Sequence, residues 1–245
     1  MHRPKNEHYY EILKIMSEEH GTVGSGALSQ RLRGAGYVMS EATVGRVLRE
    51  LDEQGFTRRD GFRGRALTVE GRRHLETLEA YHARLHRGNH FVELLSAAGP
   101  RELLDVLVAR RALERETARL AATRIEERDL DALSQLVKRH QVLTEKGSVG
   151  SDEDVQFHKI IARASGNKVL QAAMDLIRHE DQFSPVLHYI RGQVRSTVVE
   201  DHRRILRELR TRDADGAERA MVHHLENLIR DVNTYWSLMA KEGNE

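Results

Sequence analysis

Residues 151–164 read S-D-E-D-V-Q-F-H-K-I-I-A-R-A, and Asp154, Phe157, His158 and Ile161 fall at i, i+3, i+4 and i+7. That spacing places a carboxylate, an imidazole and two large apolar groups on one helical face. The mixture recurs twice further on. His202 opens a run in which Ile205, Leu206 and Leu209 share its face, and His224 stands with Ala217, Ala220, Met221 and Leu228. His223 is turned by about 100° from its neighbour and flanks this stripe. A single inward histidine is more often a hydrogen-bonded core residue. Three of them with an inward aspartate, on three helices of a bundle, point instead to a pocket for a divalent metal. Asp154 and His158, one turn apart, can grip one ion from a single helix.

Working outward, the same 3.6-residue period predicts about six helices, at 101–123, 127–146, 151–165, 168–190, 194–211 and 213–240. Pro100 follows A-A-G and reads as a helix start just past a linker. Gly147, Ser148 and Gly150 separate the second helix from the third, Ser165-Gly166-Asn167 ends the third, and Asp213 caps the last. The expected organisation is a first domain over 1–84, a linker over 85–100 and a second domain over 101–245. The fold class is mainly α: three helices plus a β-hairpin in the first domain, then an antiparallel helical bundle of about six helices.

In the first domain, Tyr10, Leu13, Ile15 and Met16 mark one helix, and Ser25 or Gly26 begins a second. Ser40 reads as the N-cap of a third that ends at Gly55. Val44, Val47, Leu48 and Leu51 form its inner stripe, and Ala42, Arg46 and Arg49 its outer face with Thr43 and Gly45 beside them. Small residues and two arginines on an outer face suit the DNA major groove, where arginine pairs with guanine edges or phosphates. The stretch T-R-R-D-G-F-R-G-R-A-L-T then reads as a two-stranded wing, with Arg63 and Arg65 placed to reach phosphates or the minor groove. A protein-binding winged helix is the alternative.

Bulk composition narrows the classes. The chain has 245 residues, 39% hydrophobic and 31% charged, which fits two soluble domains with real cores. Neither a membrane span nor a signal-peptide pattern is evident, so a cytoplasmic protein is expected. The absence of cysteine excludes disulfides and thiolate metal sites. A net charge of +1 gives no general pull on nucleic acid, but residues 56–75 hold six arginines against Asp60 and Glu70.

Residues 9–75 resemble the winged helix-turn-helix at the N-terminus of ribonuclease R and of some archaeal and bacterial repressors; T-V-G-R-V-L-R-E-L-D-E-Q-G-F and G-R-A-L-T-V-E-G carry that likeness. Residues 101–240 resemble the ligand-binding (FCD) domain of the FadR branch of GntR-type transcription regulators. The matching pieces are D-x3-H, D-H-R-R-I-L, A-x2-A-M-x2-H-L, V-A-R-R-A-L-E and A-R-A-S-G-N. The resemblance implies that Asp154, His158, His202 and His224 hold a metal, zinc or nickel foremost, and that a small organic acid completes its coordination. It also implies that Arg110 faces the pocket and pairs with that acid through its planar fork. A salt bridge to Glu114 is the other reading of Arg110. The chain departs from the family before its second helix, where G-T-V-G-S-G-A-L-S-Q replaces a Leu-Pro-Ser-Glu stretch.

The function expected from these readings is a homodimeric regulator, foremost a repressor, that binds operator DNA under control of a carboxylate effector. A pure metal-ion sensor is one alternative. A metalloenzyme is a weaker one, because no second carboxylate is evident on the inward faces to act as general base. His179 and His188 are either pocket-lining or surface residues. Tyr235 and Trp236 form an aromatic end that packs on the bundle or a partner.

Overall fold

The computed structural model describes residues 5–19, 21–96, 99–146, 150–178, 184–194 and 196–242. They form two compact units, divided between His90 and Phe91.

The first unit holds α1 (Lys5–Glu18), α2 (Ser25–Gly34), α3 (Glu41–Glu53), β1 (Thr57–Arg59), β2 (Arg65–Leu67) and the start of α4 (Val69–Ser96). Local sequence explains the boundaries. The Ser40 hydroxyl accepts from Thr43 N at 3.2 Å, capping α3 as its sequence predicts. At the other end Gly55 takes φ +77°, so that its N–H reaches Asp52 O and the Phe56 N–H reaches Leu51 O. This pair of reverse bonds satisfies carbonyls that the helix leaves free. Val44, Val47, Leu48 and Leu51 are buried against Ile12, Leu13, Met16, Leu28 and Leu32.

The hairpin pairs Thr57 with Leu67 and Arg59 with Arg65. Val23 adds a bridge to Arg65 on the open edge. Gly64, at φ +118°, lies where a Cβ would stand 2.5 Å from the Val23 carbonyl, so this position demands glycine. Two bonds pin the hairpin to α3: Thr57 Oγ1 and Arg65 Nε each donate to the Asp52 carboxylate at 2.6 Å.

Two features differ from what the sequence predicts. The unit has a fourth helix, and α4 runs unbroken to Ser96, so most of the stretch expected as linker is helical. Its mixed, weakly periodic faces concealed it.

The second unit continues with α5 (Pro100–Arg124), α6 (Glu127–Glu145), α7 (Ser151–Ala164), α8 (Lys168–Ile177), α9 (Ser184–Val194), α10 (Val198–Arg210) and α11 (Ala214–Glu242). Pro100 occupies the first turn of α5 behind an extended Gly99, where its missing N–H costs nothing. Gly166 turns the chain at φ +66°, and Asn167 Oδ1 accepts from Val169 N and Leu170 N to start α8. Asp213 Oδ1 accepts from Gly216 N at 2.8 Å and caps α11.

The helix expected over 168–190 is two helices, making seven among the described residues of the bundle rather than about six. Pro185 explains the split, since proline is at home in the first turn of α9 and would break a helix interior. His179, Gly147, Ser148 and the side chain of His188 lie outside the described residues.

The long helices α5 and α11 pack along each other, and α10, α7 and α9 close around them. Phe157, Ile161, Leu107, Leu133, Ile205, Leu209, Leu225 and Val232 form the centre of the core. Tyr235 and Trp236 pack on its edge. No helix among the described residues is long and apolar enough to cross a membrane.

Removing the Asp52 clamp should loosen the hairpin without unfolding α3. Asp52→Ala loses two charge-assisted bonds at a part-exposed site, a cost of about 1 kcal/mol. Hydrogen exchange should report this as faster exchange of the hairpin amides Asp60 and Thr68, which bond to Gly64 O and Phe56 O, with those of Leu48 and Leu51 unchanged.

Candidate metal centre and nucleic-acid surface

Asp154 and His158 on α7, His202 on α10 and His224 on α11 come together in the bundle core. All four are buried, and one donor atom from each lies within 4.8 Å of the others. The ring centroids of His158, His202 and His224 are 4.8–5.3 Å apart, and Phe157 stacks on His202 at 4.1 Å.

Carboxylates stand behind two of the rings. His158 Nδ1 is in close contact with Glu114 Oε2, and His224 Nδ1 lies 3.5 Å from Asp201 Oδ2. Asp201 is itself fixed by two bonds of 3.0 Å from Asn227 Nδ2. A carboxylate behind Nδ1 selects the tautomer that leaves Nε2 as a lone-pair donor. Among the described residues the Nε2 atoms of His158, His202 and His224 are buried without a hydrogen-bond partner. Buried nitrogens are seldom left so. Asp154 Oδ1 lies 3.4 Å from His202 Nε2 and 3.9 Å from His158 Nε2. The residues present therefore fit a divalent cation with three imidazoles and a carboxylate. Metal–ligand bonds of about 2.0–2.2 Å would draw these donors inward by about an ångström.

A chain of buried ion pairs adjoins the rings. Arg110 Nε donates to Glu114 Oε1 at 2.8 Å, and Arg178 Nη1 donates to the same oxygen at 3.3 Å. Arg178 Nη2 then donates to Asp154 Oδ2 at 2.7 Å, and Arg191 Nη1 to Asp154 Oδ1 at 3.0 Å. Burial opposes the charge on Asp154, but Arg191 and Arg178 outweigh it and hold its carboxyl well below the usual range. Glu114 is held down likewise, burial being outweighed by His158, Arg110 and Arg178. Arg110 is lowered to about 10, by burial first and then by the nearby Arg178. Burial pushes His158 and His224 down to about 4 and His202 to about 3. All three rings are therefore neutral at pH 7, the form that binds a metal.

Sequence reasoning assembled the four candidate ligands but missed their surroundings. Glu114 corrects the expectation that no second carboxylate faces inward. It was legible, because Leu103, Leu107, Arg110, Glu114 and Ala121 repeat at helical spacing and are all buried. Two arginines bind one of its oxygens and His158 abuts the other, so Glu114 is committed to pairing and is a poor general base. His140 was legible in the same way, following Leu133, Leu136 and Val137 on α6; its ring lies 5.6 Å from that of His202. Gly150 abuts it so closely that a Cβ would meet His140 Cδ2 at 2.3 Å. Arg178 lies just past the end of α8, four residues after the buried Met174, and was not singled out. Of the two readings of Arg110, the Glu114 salt bridge is present, and Nη2 remains buried without an acceptor. His223 is about half exposed and lies 4.0 Å from Asp201.

In the first unit Ala42, Arg46 and Arg49 are exposed on α3, and Thr43 is partly buried with its hydroxyl 2.9 Å from that of Ser40. Arg46 lies 3.7 Å from Glu50, one turn along. Arg63 is exposed in the hairpin turn. Arg65 differs from expectation, since its clamp to Asp52 commits it to holding the hairpin. Arg59 and the fully exposed Phe62, which were not singled out, line a cleft with Ala42, Gly45 and Arg49.

Residues 105–227, half of the chain, match the FCD domain. The chain belongs to the FCD-domain family. Residues 10–80 match the ribonuclease R winged-helix domain, so the first unit of this FCD protein is a winged helix. A putative L-lactate dehydrogenase operon regulatory protein of Escherichia coli K12 is 33% identical over 138 residues, covering 55% of this chain and 53% of that protein. The Exu regulon transcriptional regulator of the same organism is 32% identical over 133 residues, 53% of this chain and 50% of its own. The chain thus matches about half the length of these relatives. The global nitrogen regulator NrpRI of Methanosarcina mazei is 41% identical over 61 residues, 25% of this chain and 19% of that protein. A GntR-family transcriptional regulator from Pseudomonas syringae has the same fold with a TM-score of 0.51, at 17% identity and full coverage of both chains.

The neutral rings predict a pH response of the metal-free protein. Their folded values lie near 3–4 against an ordinary 6.5, so the unfolded chain binds more protons between those limits. Stability is therefore full above about pH 6.5 and falls as pH drops toward about 4. Urea unfolding across this range should show a slope approaching three protons. A flat profile from pH 7 to 4.5 would contradict neutral, buried rings.

Proposed function

We infer that this FCD protein is a DNA-binding transcription regulator, foremost a repressor, whose operator affinity responds to a small carboxylate bound at a divalent metal. One observation carries the reading: three buried imidazoles with unpartnered Nε2 atoms converge with Asp154 in a chain that also holds a winged helix. Residues 1–84 would read operator DNA and residues 101–245 would sense, with 85–100 between them. The regulator names of the relatives support this assignment over a metalloenzyme, as does the commitment of Glu114 to ion pairs.

Asp154, His158, His202 and His224 are the proposed ligands, for zinc or nickel foremost. The bound ion would supply a Lewis-acid anchor for a carboxylate oxygen. Arg110, whose Nη2 has no acceptor among the described residues, would donate to the same effector. On α3, Ala42, Thr43, Arg46 and Arg49 form the reading face, with Arg63 reaching the backbone from the hairpin; Arg65 contributes by holding that hairpin. Operators for a homodimer would carry two half-sites about one DNA turn apart. Such a regulator works in the cytoplasm.

The sharing of Asp154 between arginines and the proposed cation also favours a second reading, a pure metal sensor. A cation that takes Asp154 alters the ion-pair chain without any organic ligand.

Three measurements bear on this. His202→Ala and His224→Ala should lower bound metal, by elemental analysis, to less than a tenth of the wild-type content; full retention would remove the ligand assignment. Arg46→Ala with Arg49→Ala should weaken binding to the protein's own promoter DNA at least tenfold, with the helical content unchanged. Titrating metal alone should leave operator affinity largely unswitched until a carboxylate is added, and complete switching by metal would establish the pure sensor.

A further inference from the structure

Arg110, Arg178 and Arg191 are each more than nine-tenths buried, and together they meet two carboxylates, Glu114 and Asp154. Among the described residues each arginine keeps one N–H donor with no acceptor: Arg110 Nη2, Arg178 Nε and Arg191 Nε. Three orphaned donors on three guanidinium groups in one cluster is an unusual debt for a protein interior, where buried charges are paired and their protons are satisfied. Asp231, half-buried near Arg191, does not relieve it, because its Oδ2 is likewise without a hydrogen bond. A cation at the histidine cluster deepens the shortfall. It adds positive charge and takes up part of Asp154, the acceptor that Arg178 and Arg191 share.

One carboxylate cannot answer this arrangement. A single carboxylate shared between the metal and Arg110 leaves the donors of Arg178 and Arg191 unmet. We propose that the effector is a small dicarboxylate, with one carboxylate at the metal and Arg110 and the second received by Arg178 and Arg191. The assignment rests on the carboxylate-effector reading above and adds to it a second anionic subsite built from α9 and the end of α8. Arginine suits that subsite, since it stays charged when buried and here keeps an Nε donor beyond those already paired with Glu114 and Asp154.

The test compares matched acids on the full-length, zinc-loaded protein: succinate against butyrate, and glutarate against pentanoate. Isothermal titration and thermal shift give affinity, and elemental analysis afterwards checks that zinc is retained. The expected result is binding of one dicarboxylate at least tenfold tighter than its monocarboxylate partner. In Arg191→Gln the preference should shrink to threefold or less, and Arg178→Gln provides a second variant should the first fail to keep its helical content. The wild-type comparison stands without either. Equal affinity within each pair would overturn the dicarboxylate assignment and leave the effector reading intact. A preference unchanged in both folded variants would overturn the placing of the second carboxylate. No binding by any acid, with zinc retained, would overturn the proposal together with the carboxylate-effector reading itself.

Discussion

Five charged side chains in the middle of a helical bundle set the terms for the rest of this fold. Arg110, Glu114, Arg178, Asp154 and Arg191 lie in sequence along one chain of hydrogen bonds, alternating in sign, and all are shielded from solvent. Each ion would cost several kcal/mol to bury alone, and removing one partner strands another. The helices α5, α7 and α9 must therefore hold these groups in register, together with the residue that ends α8. The surrounding apolar residues provide the rigidity, with Phe157 stacked on His202 and Ile161, Ile205 and Leu225 fully enclosed. Such an interior is poor evidence for stability and better evidence for a site, because an apolar core would hold the bundle together more cheaply.

The same low-dielectric interior shapes the histidines. Burial keeps them neutral, and the carboxylates behind His158 and His224 turn the free nitrogens toward a common point. Glu114 does two things at once, since one oxygen abuts His158 while the other takes two arginines. The orientation of a candidate ligand is thus tied to the ion pairs that flank it. Asp201 does the equivalent for His224, and is steadied by Asn227 one turn beyond that histidine on α11.

Periodicity made the candidate ligands legible because a polar residue on an apolar helical stripe stands out against its neighbours. Asp154, His158, His202 and His224 all show this contrast, and helix starts at Ser40, Pro100 and Asp213 were readable from capping chemistry. Residues that depend on where the chain turns were not readable. Arg178 follows the last turn of α8, and its approach to both Asp154 and Glu114 is fixed by tertiary packing. The split of 168–190 between Ile177 and Ser184 was missed because apolar residues on both sides kept up a helical rhythm. The long α4 was missed for the opposite reason, as charges spread around its circumference leave no clear stripe. Arg65 read as a free wing arginine since sequence shows a basic turn but not the aspartate on α3 that claims it.

Asp154 is where two kinds of occupancy meet. Both of its oxygens are held by arginine, Oδ1 by Arg191 and Oδ2 by Arg178. A cation bound through Asp154 would compete for one of those oxygens, and an anion that satisfies Arg178 and Arg191 would release Asp154 toward the cation. Each ligand would then favour the arrangement the other needs, and linkage requires that the help be equal in both directions. A ligand that met the two arrangements equally well would shift nothing, however tightly it bound. What would suit this cluster to the proposed sensing is therefore less the affinity of any single group than a carboxylate with more claimants than it can serve at once.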